Sequence, residues 1–199
     1  MLLDGDVTAQ ALEAEFEAAD ELMAPLLSSV PAVLIPGNHD TYVREAVPGE
    51  RMRRWFGDWM GQQSPWLHTF DGVAFLYLET CRLDILSRGL TPPNQIAEAE
   101  ALLEKAGDRF VFLCQHYPPR SRHGAPYGPS TRALQNASEV EAFLKRTDRI
   151  GAILHGHEHH GFRVDIETGG GPRPILNPGA CGYAFLPKQD RTAHFNIYE

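Results

Sequence analysis

Leu154-His155-Gly156-His157-Glu158-His159-His160-Gly161 is the stretch on which the reading of the whole chain turns. Four of the nine histidines fall within it. The apolar run Ile150-Gly151-Ala152-Ile153-Leu154 leads in, and the strand-like run Phe162-Arg163-Val164-Asp165-Ile166 leads out. A buried strand that ends in glycine and histidine sets imidazoles at its tip, where the backbone can turn sharply and the rings can converge. Neutral imidazole is the commonest protein ligand for transition metals. The stretch therefore predicts that His157 and His159 hold metal and that other parts of the chain supply their partners.

Working outward, Leu2-Leu3 before Asp4-Gly5-Asp6 reads as the tail of a strand with its exit turn. Leu12, Phe16, Ala19, Leu22, Met23 and Leu26 keep helical spacing, which predicts a helix within residues 9–27. Ala32-Val33-Leu34-Ile35 is a short buried strand closed by Pro36-Gly37, so the chain starts with a parallel strand–helix–strand crossover. A short aromatic helix is expected between Gly49 and Gly61, and a hairpin with Asp71-Gly72 at its turn from His68 to Thr80. A helix is expected from Pro92 to Lys105, then a buried strand Phe110–Cys114. Ser138 is expected to cap a further helix. Ile175-Leu176-Asn177 and His194–Tyr198 read as two last strands, and Gly169-Gly170-Gly171 as a hairpin tip. The loop from Tyr117 to Leu134 is long and rich in Pro, Gly, Ser and Arg; loops of that length in a compact domain are usually functional or mobile.

Every polar cluster then lies at a strand end. The first strand ends in Gly5-Asp6, the second in Gly37-Asn38-His39-Asp40, the Phe110 strand in Gln115-His116-Tyr117-Pro118, and the Ile150 strand in Gly156-His157-Glu158-His159. In open α/β sheets ligands bind just outside the carboxyl ends of strands. Polar residues so dense after buried strands are costly without a partner.

Composition narrows the function. The chain has 199 residues, suited to one domain, 1–199, with a sizeable core. Hydrophobic residues are 43% and charged residues 22%, near globular averages, which excludes a disordered or fibrous chain. A net charge of −8 argues against binding nucleic-acid polymers through their backbones, although metal ions can supply positive charge locally for a phosphate. Cys81, Cys114 and Cys181 are scattered and odd in number, which fits a reducing, cytoplasmic setting. No run approaches the ~18 apolar residues of a membrane span.

The order Gly-Asp, Gly-Asn-His-Asp, a lone His before a Pro, then Gly-His-x-His resembles the calcineurin-like metallophosphoesterases, and the resemblance runs from residue 4 to about 180. It implies an α/β fold, a β-sandwich flanked by helices on both outer faces, around two divalent transition-metal ions. By that resemblance Asp6 bridges the ions, Asn38, His116 and His157 complete the second site, and His159 serves the first. His39 would contact the scissile phosphate and protonate the leaving oxygen, with Asp40 behind it, outside the coordination sphere. The resemblance implies a metal-bound hydroxide attacking in line on a small or nucleotide-like phosphodiester; two cations about 3.5–4 Å apart suit that displacement. Imidazole, amide and carboxylate without thiolate suit Mn, Fe, Zn or Co. Arg120, Arg122, Arg132 and Tyr117 are candidates for gripping a phosphate, although a solvated loop explains the arginines better and no role is assigned to them.

The pattern is also broken. The family begins with a strand ending in Asp-x-His, which binds the first metal, and no Asp-x-His precedes Asp6 here. Its Gly-Asp-x-x-Asp ends here in Ala9. The expectation is a chain short of the family's first strand, with a weak first site. One alternative goes with that departure, a non-catalytic scaffold with a degraded site, of which the family holds an example; a protein phosphatase is a weaker third reading, since the acidic composition and short loops give no sign of a peptide groove. An intact second site beside His39 favours the enzyme.

Overall fold

The chain begins with two three-residue strands, β1 (Leu2–Asp4) and β2 (Val33–Ile35), which pair in parallel with Leu3 opposite Leu34. Helix α1 (Glu13–Leu27) is the crossover between them. The computed structural model describes residues 1–127, 131–182, 186–189 and 193–199. A second helix, α2 (Glu50–Phe56), follows β2. A hairpin of β3 (Trp66–Phe70) and β4 (Val73–Tyr77) comes next. The chain then alternates α3 (Pro93–Lys105), β5 (Phe110–Cys114), α4 (Ala137–Arg146) and β6 (Ile150–Leu154), and continues with the hairpin β7 (Phe162–Thr168) and β8 (Gly171–Asn177) and a 3-10 turn, Pro187–Gln189. These last six strands form one sheet in the order β3-β4-β5-β6-β8-β7. Its inner strands run parallel, and β3 and β7 are antiparallel edges.

Side-chain alternation along each strand builds the layers. Val33 and Ile35 of the small sheet meet Trp66, Tyr77, Cys114 and Leu154 of the large one. Leu34, between them in sequence, points the other way and packs with Phe16, Met52 and Phe56 of α1 and α2. On the far face of the large sheet, Leu76, Leu113, Ile153 and Ile175 pack with Leu103 of α3 and Phe143 and Leu144 of α4. The order is helices, small sheet, large sheet, helices: the flanked β-sandwich that the resemblance implies. The aromatic excursion after β2 belongs to the outer core, where Phe56 and Met60 are buried and Trp55 and Trp59 pack against them.

Several boundaries differ from the sequence reading. Helix α1 starts at Glu13 because Ala11 takes a left-handed φ of 56°, which breaks the helix before it; Glu15 then accepts the free N–H groups of Gln10 and Leu12 at 2.9 and 3.1 Å. Helix α4 follows Asn136, two residues ahead of a Ser138 cap. Asn136 is held at that point by Thr91, whose N–H it accepts at 3.0 Å and whose carbonyl it donates to at 2.8 Å. His194–Tyr198 is no strand: residues 193–199 have no regular structure, and Phe195 and Ile197 stand exposed. Alternation of apolar and polar residues makes a strand only where a neighbouring edge supplies the hydrogen-bond ladder.

Candidate metal centre

Two glycines let the first two turns touch. A Cβ on Gly5 would stand 2.3 Å from the Gly37 nitrogen, and one on Gly37 would stand 2.1 Å from Asp6 Oδ1. The turns after β1 and β2 therefore pack back to back only with both residues bare. Gly156 is constrained in the same way by the Asp4 carbonyl, 2.6 Å from where its Cβ would be. Asp6 and His157 follow Gly5 and Gly156 with φ of 56° and 61°, so two candidate ligands sit in left-handed backbone. Non-glycine residues rarely hold that conformation unless the surroundings impose it, and such residues gather at functional sites. Part of what imposes it at His157 is Asn177, whose Nδ2 donates to the carbonyls of Gly156 and Glu158 at 2.9 and 2.7 Å.

These turns bring four side chains together across the sandwich. Asp6 and Asn38 come from the small sheet, His116 and His157 from the large one. Asn38 Oδ1 lies 2.8 Å from His157 Nδ1 and 3.1 Å from His116 Nε2, and His116 Nε2 lies 3.3 Å from Asp6 Oδ2. Ligand atoms of Asp6, His116 and His157 all lie within 4.8 Å of one another. Asn38, His116 and His157 are almost fully buried.

The donor set suits a divalent transition metal: two imidazole nitrogens, an amide oxygen and a carboxylate, with no thiolate. Each of these atoms offers a lone pair to the same small space, where a cation satisfies all of them at once. His116 Nδ1 faces the Asp4 carbonyl at 3.1 Å, so a proton on Nδ1 leaves Nε2 as the ligand atom. Without a metal the charges settle differently. Burial works against the His116 imidazolium, but Asp6 and Asp4 overcome it and raise its pKa to about 9. Burial likewise opposes the Asp6 carboxylate, but His116 and the His39 N–H hold its pKa well below the usual range. Burial, then the His116 charge, keep His157 neutral, with a pKa pushed down to about 2. A metal ion entering the site would take the place of the His116 proton.

His39 stands at the rim, half-buried. Its Nδ1 is 2.8 Å from the Ala9 carbonyl, so the backbone at Ala9 orients this ring. Asp40 is buried and does not serve the His39 ring. It accepts from Thr8 N, Thr8 Oγ1 and Gly37 N at 2.9, 2.8 and 2.9 Å, which ties the Asp6 turn to the Asn38 turn. His159 stands outside the tight group, half-buried, near enough to feel the charges of Asp6 and Arg132. His155, at the head of the histidine run, is fully buried, and burial lowers its pKa to about 3; it is a neutral core residue beside Asn177. Arg120 is committed to Glu141 at 2.7 Å and to the Gly124 carbonyl at 2.8 Å, whereas Arg122 and Arg132 are exposed. Tyr117 lays its ring 4.1 Å from that of His157.

A family profile described as calcineurin-like phosphoesterase matches residues 1–161. The chain belongs to this family. Among relatives of this calcineurin-like phosphoesterase is the glycerophosphodiester phosphodiesterase GpdQ of Enterobacter lignolyticus, 25% identical over 171 residues, which cover 80% of this chain and 55% of the relative. The chain thus spans about half the length of that protein. Two solved structures share its fold: a dimetal phosphatase from Danio rerio, with a TM-score of 0.61 and 16% identity over 89% of this chain and 71% of that one, and the phosphopantetheinyl hydrolase PptH of Mycobacterium tuberculosis, with a TM-score of 0.56 and 10% identity over 90% and 78%. No helix among the described residues of this calcineurin-like phosphoesterase is long and apolar enough to cross a membrane.

Three features of the site escape a sequence reading. The Asp4 carbonyl orients His116, and its carboxylate is buried with neither oxygen hydrogen-bonded. Burial raises the Asp4 carboxyl to about 8. Tyr42 and Ser87 both touch Asn38. Tyr42 is four residues from Asn38, a spacing that could have flagged it; Ser87 lies in an aperiodic loop that carries no such signal.

Proposed function

We propose that the chain is a metal-dependent phosphoester hydrolase acting on a small phosphodiester. Asp6, Asn38, His116 and His157 hold one divalent ion, and Asp6 with His159 holds a second more weakly. The observation that carries this reading is the meeting of Asp6, Asn38, His116 and His157 on one centre beside the exposed edge of His39. When bound, the ions supply positive charge for the phosphoryl oxygens and a nucleophile at neutral pH. The residues do the rest. The two sheets fix the ligand atoms before substrate arrives, so little reorganisation remains for the reaction. The Ala9 carbonyl holds the His39 ring by Nδ1, which leaves Nε2 to carry a proton to the departing oxygen. The name of the Enterobacter relative supports a diester over a monoester, and a small substrate agrees with it.

The test is hydrolysis of bis(p-nitrophenyl) phosphate against p-nitrophenyl phosphate with added Mn²⁺. Faster diester cleavage, abolished by chelator and by His157→Ala, is expected. Turnover that survives His157→Ala, or none with Mn²⁺, Fe²⁺, Zn²⁺ or Co²⁺, overturns the reading.

A further inference from the structure

A primary amide can present either its oxygen or its nitrogen, and only the oxygen can bind a cation. At Asn38 the choice is made from behind. Its Nδ2 donates to Tyr42 Oη at 2.7 Å and to Ser87 Oγ at 3.1 Å, which uses both amide hydrogens and leaves Oδ1 facing His116 and His157. Tyr42 makes a second contact: its ring lies against His39, with centroids 4.6 Å apart. It can reach both because the tight turn His39–Thr41 brings position 42 back over position 38.

Ser87 is built for its part. It sits in left-handed backbone, φ 54°, uncommon outside glycine. Asp84 braces the loop: its carbonyl accepts from Ser87 N at 2.9 Å, and its carboxylate takes Arg88 and the Leu86 N–H, at 2.8 and 2.7 Å. From the other side, Tyr117 donates its hydroxyl to the Ser87 carbonyl at 2.8 Å. The loop's strain and bracing converge on presenting one hydroxyl to one amide.

We infer that Tyr42 is a positioning residue for both halves of the site: its hydroxyl fixes Asn38 with the oxygen toward the cation, and its ring holds His39 at the rim. The inference rests on the function proposed above. Tyr42→Phe removes the hydroxyl and keeps the ring; Tyr42→Leu removes both.

Mn²⁺ binding is measured by calorimetric titration, the unfolding temperature on metal-free protein, and the rates on an aryl and an alkyl phosphodiester separately. For Tyr42→Phe the expected result is Mn²⁺ binding weakened about ten- to a hundredfold, an unchanged metal-free unfolding temperature and an unchanged ratio of alkyl to aryl rates. Tyr42→Leu should lose the same affinity and in addition cleave the alkyl diester disproportionately slowly, because an alkoxide must be protonated as it leaves and p-nitrophenolate need not be. Wild-type Mn²⁺ affinity in Tyr42→Phe overturns the inference and leaves the proposed function standing. So does an affinity loss that merely tracks a drop in unfolding temperature, or an equal alkyl-to-aryl ratio in the two variants. A wild-type protein that binds no Mn²⁺ removes the proposed function and this inference with it.

Discussion

Asp40 takes two hydrogen bonds from Thr8, one from its backbone nitrogen at 2.9 Å and one from its hydroxyl at 2.8 Å. Because it also accepts from Gly37 N at 2.9 Å, a single buried carboxylate fastens the turn that carries Asp6 to the turn that carries Asn38. Asp40→Ala leaves two buried N–H groups without an acceptor. We expect a loss of about 2–4 kcal/mol in urea unfolding, together with weaker metal binding. A variant as stable as wild type would show that water replaces the carboxylate and that the fastening is dispensable.

His39 separates chemistry from coordination. Its backbone N–H donates to Asp6, which any residue can do, while its ring leans on Ala9 and Tyr42. His39→Gln should therefore bind Mn²⁺ as wild type does. It should lose about 10²–10⁴-fold in rate on an alkyl phosphodiester and much less on the p-nitrophenyl ester. Equal losses on the two esters would place His39 in substrate binding instead of proton transfer.

Metal should also stabilise the fold. An ion bound only by the folded state adds about 2.7 kcal/mol at a hundredfold excess over its dissociation constant. Since one group of ligands is tight and His159 lies outside it, Mn²⁺ titration should show one strong phase and one weak phase. Two phases of equal affinity would contradict the unequal sites. His159→Ala should remove the weak phase and spare the strong one.

Glu79 gives a pH dependence away from the metal ligands. Its side chain is buried, it accepts from Cys81 N at 2.8 Å, and burial raises its carboxyl to about 7 from an ordinary 4.5. A carboxyl whose pKa is higher folded than unfolded contributes fully below pH 4.5, and that contribution is lost as the pH rises towards 7. Glu79→Gln keeps the acceptor and never ionises. Relative to wild type it should gain stability between pH 5 and pH 8, on the order of 2–3 kcal/mol. A difference between the two proteins that does not change with pH would mean that Glu79 is charged throughout.

What could be read from the sequence follows from what a strand tip demands. Gly5, Gly37 and Gly156 are where chains approach too closely for a Cβ, and each is followed at once by the side chain it aims. That local rule is written in the order of residues at Asp6, Asn38 and His157, whereas His116 follows Gln115, and it is the family resemblance that joins it to the other three as ligands of one ion. The supports behind them depend on returns through space. Ser87 reaches Asn38 from a loop 49 residues away, and the Asp4 carbonyl reaches His116 from 112 residues away. Helix starts were blurred for a related reason: the left-handed Ala11 and the Thr91–Asn136 pair set them, and apolar periodicity registers neither.

The site's position between two sheets has a mechanical consequence. The small sheet is only two strands of three residues, and the candidate cation ligands that follow them, Asp6 and Asn38, face His116 and His157 of the large sheet. A bound ion acts as a rivet through the sandwich. Drawing it out with chelator should loosen residues 1–41 first, visible as faster amide hydrogen exchange in β1 and β2 while β5 and β6 keep their protection. Loading the enzyme and clamping its amino-terminal layer would then be one event.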